Sequence, residues 1–391
     1  MIQHGFRIIW NQKKKYGFIL FELFAIFLVV FITMIYMIDR LTTYFEGTGC
    51  AIDHVYYMDV RPQRSDIQSN REHFLKVRER LNDVKGVEVV SVNRMGAPYI
   101  GSSSSGLFYY GEQKEKAYKH YVDEHYPSVL KPDLIQGRWF NAKDHASLQI
   151  PVVINQRMAD RLFGEEEPVG KVVKAKDLQF IVKGVIAQFK QDDYDPRAEH
   201  IFIDINHPKT PFYGADLLIR YRDGTQPQPG AYAGEVFSVI PREDYRIMTS
   251  SRLEAMKKKA NANYSGDILF VSLIVGFLLF NLILGLIGIL GYNVNRRWSE
   301  MGIRRAVGST KARIRKLIFL EMFALTVMAI IPAFVVVVQI PAFEVMPLTW
   351  ALFTKAMVVS LALIFFLVFI SVLYPGIMAS KIRPAVALKE E

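Results

Sequence analysis

Three short stretches carry residue types that could do chemistry. Gly164 to Lys171 reads GEEEPVGK. A phosphate-cradling loop needs four residues between its glycines and then Lys with Ser or Thr, because backbone N–H groups must close around the phosphates. Here five residues separate the glycines, Val172 follows the lysine, and three glutamates would repel phosphate. A surface turn between helix and strand is the expectation. His120 to His125 reads HYVDEH. A zinc-hydrolase helix places its histidines four apart, whereas a spacing of five turns about 500° around a helix and leaves the rings on different faces. This stretch is expected to be a solvated surface. Asp192, Asp193 and Asp195 cluster in QDDYDPRAEH, without the glycine and closing glutamate of a calcium loop, and read as an acidic surface loop. No nucleophile elbow and no triad is apparent. Cys50 is the one cysteine, so no intrachain disulfide and no Cys-rich metal site is available.

A fourth stretch is unusual for its charge. Residues 296 to 316 read RRWSEMGIRRAVGSTKARIRK, with Glu300 the one acidic residue against Arg296, Arg297, Arg304, Arg305, Lys311, Arg313, Arg315 and Lys316. Trp298, Met301, Ile303, Ala306 and Val307 suit a short interfacial helix with basic flanks. Gly308 is a natural helix stop, and Ser309 or Thr310 can cap a new helix starting at Lys311. Such a helix could dock in a groove of a cytosolic partner, or the segment could be a plain topology anchor.

The elements that position this stretch are apolar runs. Phe18 to Ile38 would make about 31 Å of helix, the thickness of one bilayer core, and its end lacks a small-residue cleavage site. Three more spans follow at 266–294, 317–338 and 352–374. The second is rich in glycine (Gly276, Gly285, Gly288, Gly291), which permits close helix approach, and Pro332 is a candidate kink in the third. Glu22 and Glu321 lie within spans and are expected near an interface, bonded to Arg or Lys one turn away. Basic residues crowd the segments 1–17, 295–316 and 375–391, while the short 339–351 connection has none, so both termini and the basic loop are expected in the cytoplasm.

Residues 39–265 therefore lie on the other side. They hold 32 basic and 31 acidic residues, so the net charge of +10 belongs to the membrane flanks and the case for nucleic-acid binding falls away. Their pattern is mixed. HVYYMDV, a helix over Asp66–Val84 and KGVEVVSVN form one strand–helix–strand unit; ADLLIRY, GAYAGEVFSVI and DYRIMTS form another. Residues 39–95 and 214–265 thus read as a split βαβ subdomain. Residues 96–213 read as a mainly β insertion, opened by the flexible stretch GAPYIGSSSSG and carrying one short helix near RMADRLFG. The fold class is an α-helical membrane protein with four transmembrane helices and a large extracytoplasmic α+β domain.

SEMGIRRAVGSTKARIRKLIFLE resembles the signature of MacB/FtsX-type ABC transporter permeases. Glu300, Met301, Gly302, Ile303, Arg304, Arg305, Ala306, Gly308, Ile314 and Glu321 match it. LIQGRWFNAKD, VVINQRMADRLFGEEEPVGKVV and YPGIMASKIRPAVALKEE are similar to further parts of the family, with Gly376 in place of a usual alanine. The resemblance implies a coupling helix at Glu300–Val307, a cytosolic ABC ATPase dimer, a second identical or different permease chain, and a periplasmic adaptor or outer-membrane channel in some members. It implies no cofactor in this chain, with ATP and magnesium held by the partner ATPase. It further implies the bacterial inner membrane and transmission of ATP-driven motion to the periplasmic side. That motion would serve export of a peptide, antibiotic or lipid-linked molecule, or regulation of a cell-wall hydrolase or sensor kinase.

Overall fold

The computed structural model describes residues 13–63, 71–195, 198–212, 214–296, 298–343 and 348–380. The chain divides into two compact units, one of residues 42–265 and one of the flanking segments.

In the first unit, β1 (Val55–Pro62), α2 (Arg71–Asn82) and β2 (Val87–Arg94) follow α1 (Lys13–Phe45). Next come β3 (Ser105–Tyr110), β4 (Gln113–Val122), α3 (Tyr126–Leu130), β5 (Leu134–Gly137), a 3₁₀ turn at Ala142–Ala146, β6 (Ile150–Asn155) and α4 (Gln156–Phe163). The unit finishes with β7 (Val172–Ala175), β8 (Leu178–Ile186), β9 (His200–Asp204), β10 (Ala215–Tyr221), α5 (Pro229–Val239) and β11 (Tyr245–Arg252).

The two strand–helix–strand units interleave. The strand order β11-β1-β10-β2 is antiparallel throughout, so each unit's two strands are separated by a strand of the other. This is the split βαβ arrangement. Phe74, Val77 and Leu81 fall three and four apart on α2 and bury against Met58, Val60, Val90 and Leu217, with Tyr232 and Val236 of α5 in the same core.

The insertion is a closed barrel. β4 pairs with β3, β3 with β7, β7 with β8, β8 with β6, β6 with β9, and β9 returns parallel to β4. Alternate residues point inward, as closure requires: Ile150, Val152 and Ile154 of β6, Phe180 and Val182 of β8, and Ile201 and Ile203 of β9 share one core. Met158, Leu162 and Phe163 of α4 join it. One short helix was the expectation here; α3 and the 3₁₀ turn are additional, the latter held by a reciprocal cap between Asn141 and Asp144. GAPYIGSSSSG is also less loose than its composition suggests, because Ala97 and Tyr99 are buried and β3 starts at Ser105.

The second unit contains α6 (Leu253–Arg296), whose first turns lie in the inter-span domain, α7 (Trp298–Ala306), α8 (Lys311–Val337), α9 (Gln339–Ala342) and α10 (Trp350–Ser380). Among the described residues four helices, α1, α6, α8 and α10, are long and apolar enough to cross a membrane. Most overrun the apolar runs because the flanking Lys, Ala and Asn residues tolerate helix and nothing breaks it. Pro332 and Pro375 sit inside α8 and α10 without ending them. Glu22 faces the second span: a Cβ at Gly285 would lie 2.8 Å from its carboxylate oxygen. Gly285 is thus the close-approach glycine, while Gly276, Gly288 and Gly291 have nothing within 4 Å. Residues 1–12 and 381–391, including Lys381, Arg383 and Lys389, lie outside the described residues.

Candidate functional site

The basic stretch folds as a short helix locked at its exit. Gly308 takes φ +96°, a conformation that side chains rarely adopt. Ser309 N–H donates to the Arg304 carbonyl at 2.9 Å and Gly308 N–H to the Arg305 carbonyl at 3.2 Å, the two bonds of a Schellman turn. Thr310 then caps α8, its hydroxyl accepting from Arg313 N–H at 3.3 Å. The short helix, the glycine stop and the threonine cap are where the sequence pattern puts them.

The faces of α7 differ. Met301 is buried in the same apolar cluster as Ile314, Ile318 and Val372, and Gly302 beside it is buried too. Glu300 and Arg305 are half-buried, and Arg304, Ala306 and Gly308 are exposed. Ile303 and Val307, one turn apart, are 49% and 83% exposed. Both arginines are engaged within the chain. Arg304 Nη2 donates to Glu300 Oε1 at 2.8 Å, and Arg305 Nη1 donates to the Ser309 carbonyl at 2.9 Å, bracing the turn. Each arginine thus has an acceptor within the chain, supplied by i,i+4 geometry for Arg304 and by the nearby helix exit for Arg305. The outward apolar pair Ile303/Val307 is the feature that charge patterning hid.

A second constellation went unseen in the sequence. The loop 188–195 grips both ends of the inter-span domain. Lys190 is buried, and its Nζ donates to the Thr43 carbonyl at the end of α1 and to the Asp193 carbonyl. Gln188 Nε2 donates to the Glu46 carbonyl at 2.8 Å. Asp193 accepts from Tyr99 Oη at 2.8 Å and from Asn261 Nδ2 at 2.7 Å, with Lys257 Nζ 3.2 Å away. Tyr264 donates to Asp192 at 3.0 Å. Burial lowers the Lys190 pKa against the pull of Asp193. QDDYDPRAEH is thus not simply an acidic surface loop: Asp193 is buried because Tyr99 and, on α6, Lys257 and Asn261 satisfy it from two distant segments. Lys257, near the start of α6, has its place here.

The remaining motifs are structural. HYVDEH is not a solvated surface. His120 lies on β4, where alternate residues share a face, and it is buried with Nε2 2.9 Å from His200 Nδ1. Burial pushes His120 down to about 4, so the pair is neutral at pH 7. GEEEPVGK is a turn between α4 and β7, closed by Lys171 Nζ on Glu166 at 2.8 Å. Among the described residues no group of three His, Cys, Asp or Glu could hold a metal. The Cys50 thiol is pushed up to about 12 by burial, far from a reactive thiolate.

Two family models match successive parts of the chain. The MacB-like periplasmic core domain matches residues 24–230, and the FtsX-like permease C-terminal model matches residues 270–384, a range that contains α7 and its Schellman turn. The chain belongs to the MacB/FtsX-type ABC transporter permeases. This permease is similar to the uncharacterized ABC transporter permease YknZ of Bacillus subtilis, 24% identical over 291 residues, covering 72% of this chain and 70% of that one. It is also similar to the macrolide export ATP-binding/permease protein MacB of Pasteurella multocida, 26% identical over 202 residues. That match covers 49% of this permease and 30% of the longer relative. The extracellular domain of YknZ from Gram-positive bacteria superposes with a TM-score of 0.37 at 21% identity, covering 49% of this permease and all of that domain. The permease is a multi-pass membrane protein with a large β-rich domain between its first two spans.

Proposed function

We propose that this permease works with a separate cytosolic ATP-binding subunit, and that α7 is the helix that subunit moves. The exposed pair Ile303/Val307 on a helix anchored by Met301 carries the reading. An apolar knob on a rigid base fits a groove, and the Schellman turn and the Thr310 cap make a push on α7 a push on α8. ATP and magnesium belong to the partner; the name of the macrolide exporter joins an ATP-binding and a permease function in one longer protein, of which this permease matches 30%. Both termini and α7 then lie in the cytoplasm of a bacterial inner-membrane protein, and residues 42–265 in the periplasm. A second permease chain pairs along α6, supported by the open Gly276, Gly288 and Gly291 face and by the 11% of its apolar window that is buried. The output is export of a periplasmic substrate by motion of the core domain, in assemblies that can include an adaptor and an outer-membrane channel.

The test is co-purification with the cytosolic ABC ATPases of the same cell, reading ATPase turnover in the same sample. Wild type is expected to bind and modulate turnover, and Gly302→Asp, which forces a charge beside Met301, to do neither. Equal binding of both would leave the basic segment as a topology anchor. No binding of any ATPase by wild type would remove the transport reading.

A further inference from the structure

The barrel of the inter-span domain is filled at one end and open at the other. α4 follows the end of β6 and closes that side of the core with Met158, Leu162 and Phe163. At the opposite end, where β6 starts at Ile150, a cavity of about 600 Å³ remains. Phe108, Ile150, Leu178, Phe180 and Ile203 line it, so its wall is apolar. Volumes of this order hold a drug-sized ligand, and barrel mouths are a common place for one.

The mouth carries two cations. Ala117, Lys119 and Tyr121 alternate along β4, and the first and last belong to the barrel core, so Lys119 occupies an inward position at the open end. Its stem crosses Gly106 on β3, where a Cβ would sit 3.5 Å from Cδ. Lys176, in the β7–β8 turn, lines the same cavity. Among the described residues neither ammonium pairs with a carboxylate. Burial and the nearby Lys176 both lower the Lys119 pKa. Stability alone favours a neutral or acidic residue at such a position; two unpaired lysines over an apolar wall instead match a ligand with an anionic head and an apolar body.

We propose that the open mouth of the barrel binds a small amphipathic anion, its apolar body among Phe108, Ile150, Phe180 and Ile203 and its carboxylate or phosphate at Lys119 and Lys176. The site is complete within one chain, so it stands apart from the ATPase-coupling reading and is tested without ATPase or nucleotide.

The experiment is photolabelling of the full chain in lipid nanodiscs with decanoate carrying a diazirine at its tail, followed by peptide mapping. Labels are expected on residues 106–109 and 175–180. Unlabelled decanoate or decyl phosphate should compete, the better competitor identifying the head group, while decyltrimethylammonium should not. Lys119→Gln and Lys176→Gln, at half-buried and exposed positions where folding tolerates an amide, should each reduce labelling about tenfold, the effect of one lost charge-assisted bond. Labelling confined to the membrane helices overturns the proposal. So does equal competition by the ammonium, or unchanged labelling in both glutamine variants.

Discussion

Helix α7 and the 188–195 loop are both joints, built on opposite physical plans. α7 is held by local bonds: Arg304 to Glu300, Arg305 to Ser309 and the two bonds of the Schellman turn all span five residues or fewer. It keeps apolar side chains outside. The loop buries charge, Lys190 and Asp193, and holds it with partners 68 to 147 residues away in sequence, at Asn261, Tyr99 and Thr43. A local joint can present a surface to a partner and release it without disturbing the fold. A buried long-range joint cannot open without leaving charge unsolvated, so it is suited to carrying force rather than to exchanging partners. The difference suits α7 to the docking role proposed for it, and the loop to tying residues 43–46 to residues 257–264.

The sharpest way to break this contrast is at Asp193. Asp193→Ala leaves the Tyr99 hydroxyl and the Asn261 amide without their acceptor, at a cost of about 3 kcal/mol to the inter-span domain. Thermal unfolding followed by a tyrosine signal should show the loss, with ATPase binding at α7 unchanged. A stable variant would mean the loop is a surface feature after all. Next in size is the exposed pair. Ile303→Asp should leave the melt unaltered and weaken ATPase binding about thirtyfold, roughly 2 kcal/mol, as expected of a central apolar anchor. A titration in detergent reads it, and an unchanged Kd would return the docking role to charge.

The two joints were not equally visible in the sequence. α7 was legible residue by residue, because Gly308, Thr310 and the spacing of Met301 act over one or two turns. Its exposed apolar pair was not, because the stretch is dominated by eight basic residues and burial, not composition, decides that Met301 is covered and Val307 is exposed. The split βαβ core was legible through the periodicity of Phe74, Val77 and Leu81. Barrel closure was not: the β3–β7 contact that completes the ring is the single pair Tyr109–Lys174, and no local signal announces it. Lys190, Tyr99 and Asn261 share no motif, and only the folded chain brings them together. The burial of His120 was not legible either, because its spacing from His125 carries meaning on a helix and His120 lies on a strand.

Two smaller effects separate the turn from the charges within α7. Gly308→Ala places a Cβ at φ +96° where nothing lies within 4 Å, so its cost is conformational alone, about 1 kcal/mol. Amide exchange across residues 305–310 should quicken about fivefold, with a matching drop in ATPase coupling; unchanged exchange would mean the turn is not what holds the helix. Arg304→Ala is smaller still. It removes an exposed i,i+4 pair worth about 0.3 kcal/mol, so ATPase binding should change less than twofold. A tenfold loss at Arg304 would show that its guanidinium leaves Glu300 to meet an acidic partner. Docking would then be electrostatic, strongly weakened by salt, and Ile303 would be its rim rather than its centre.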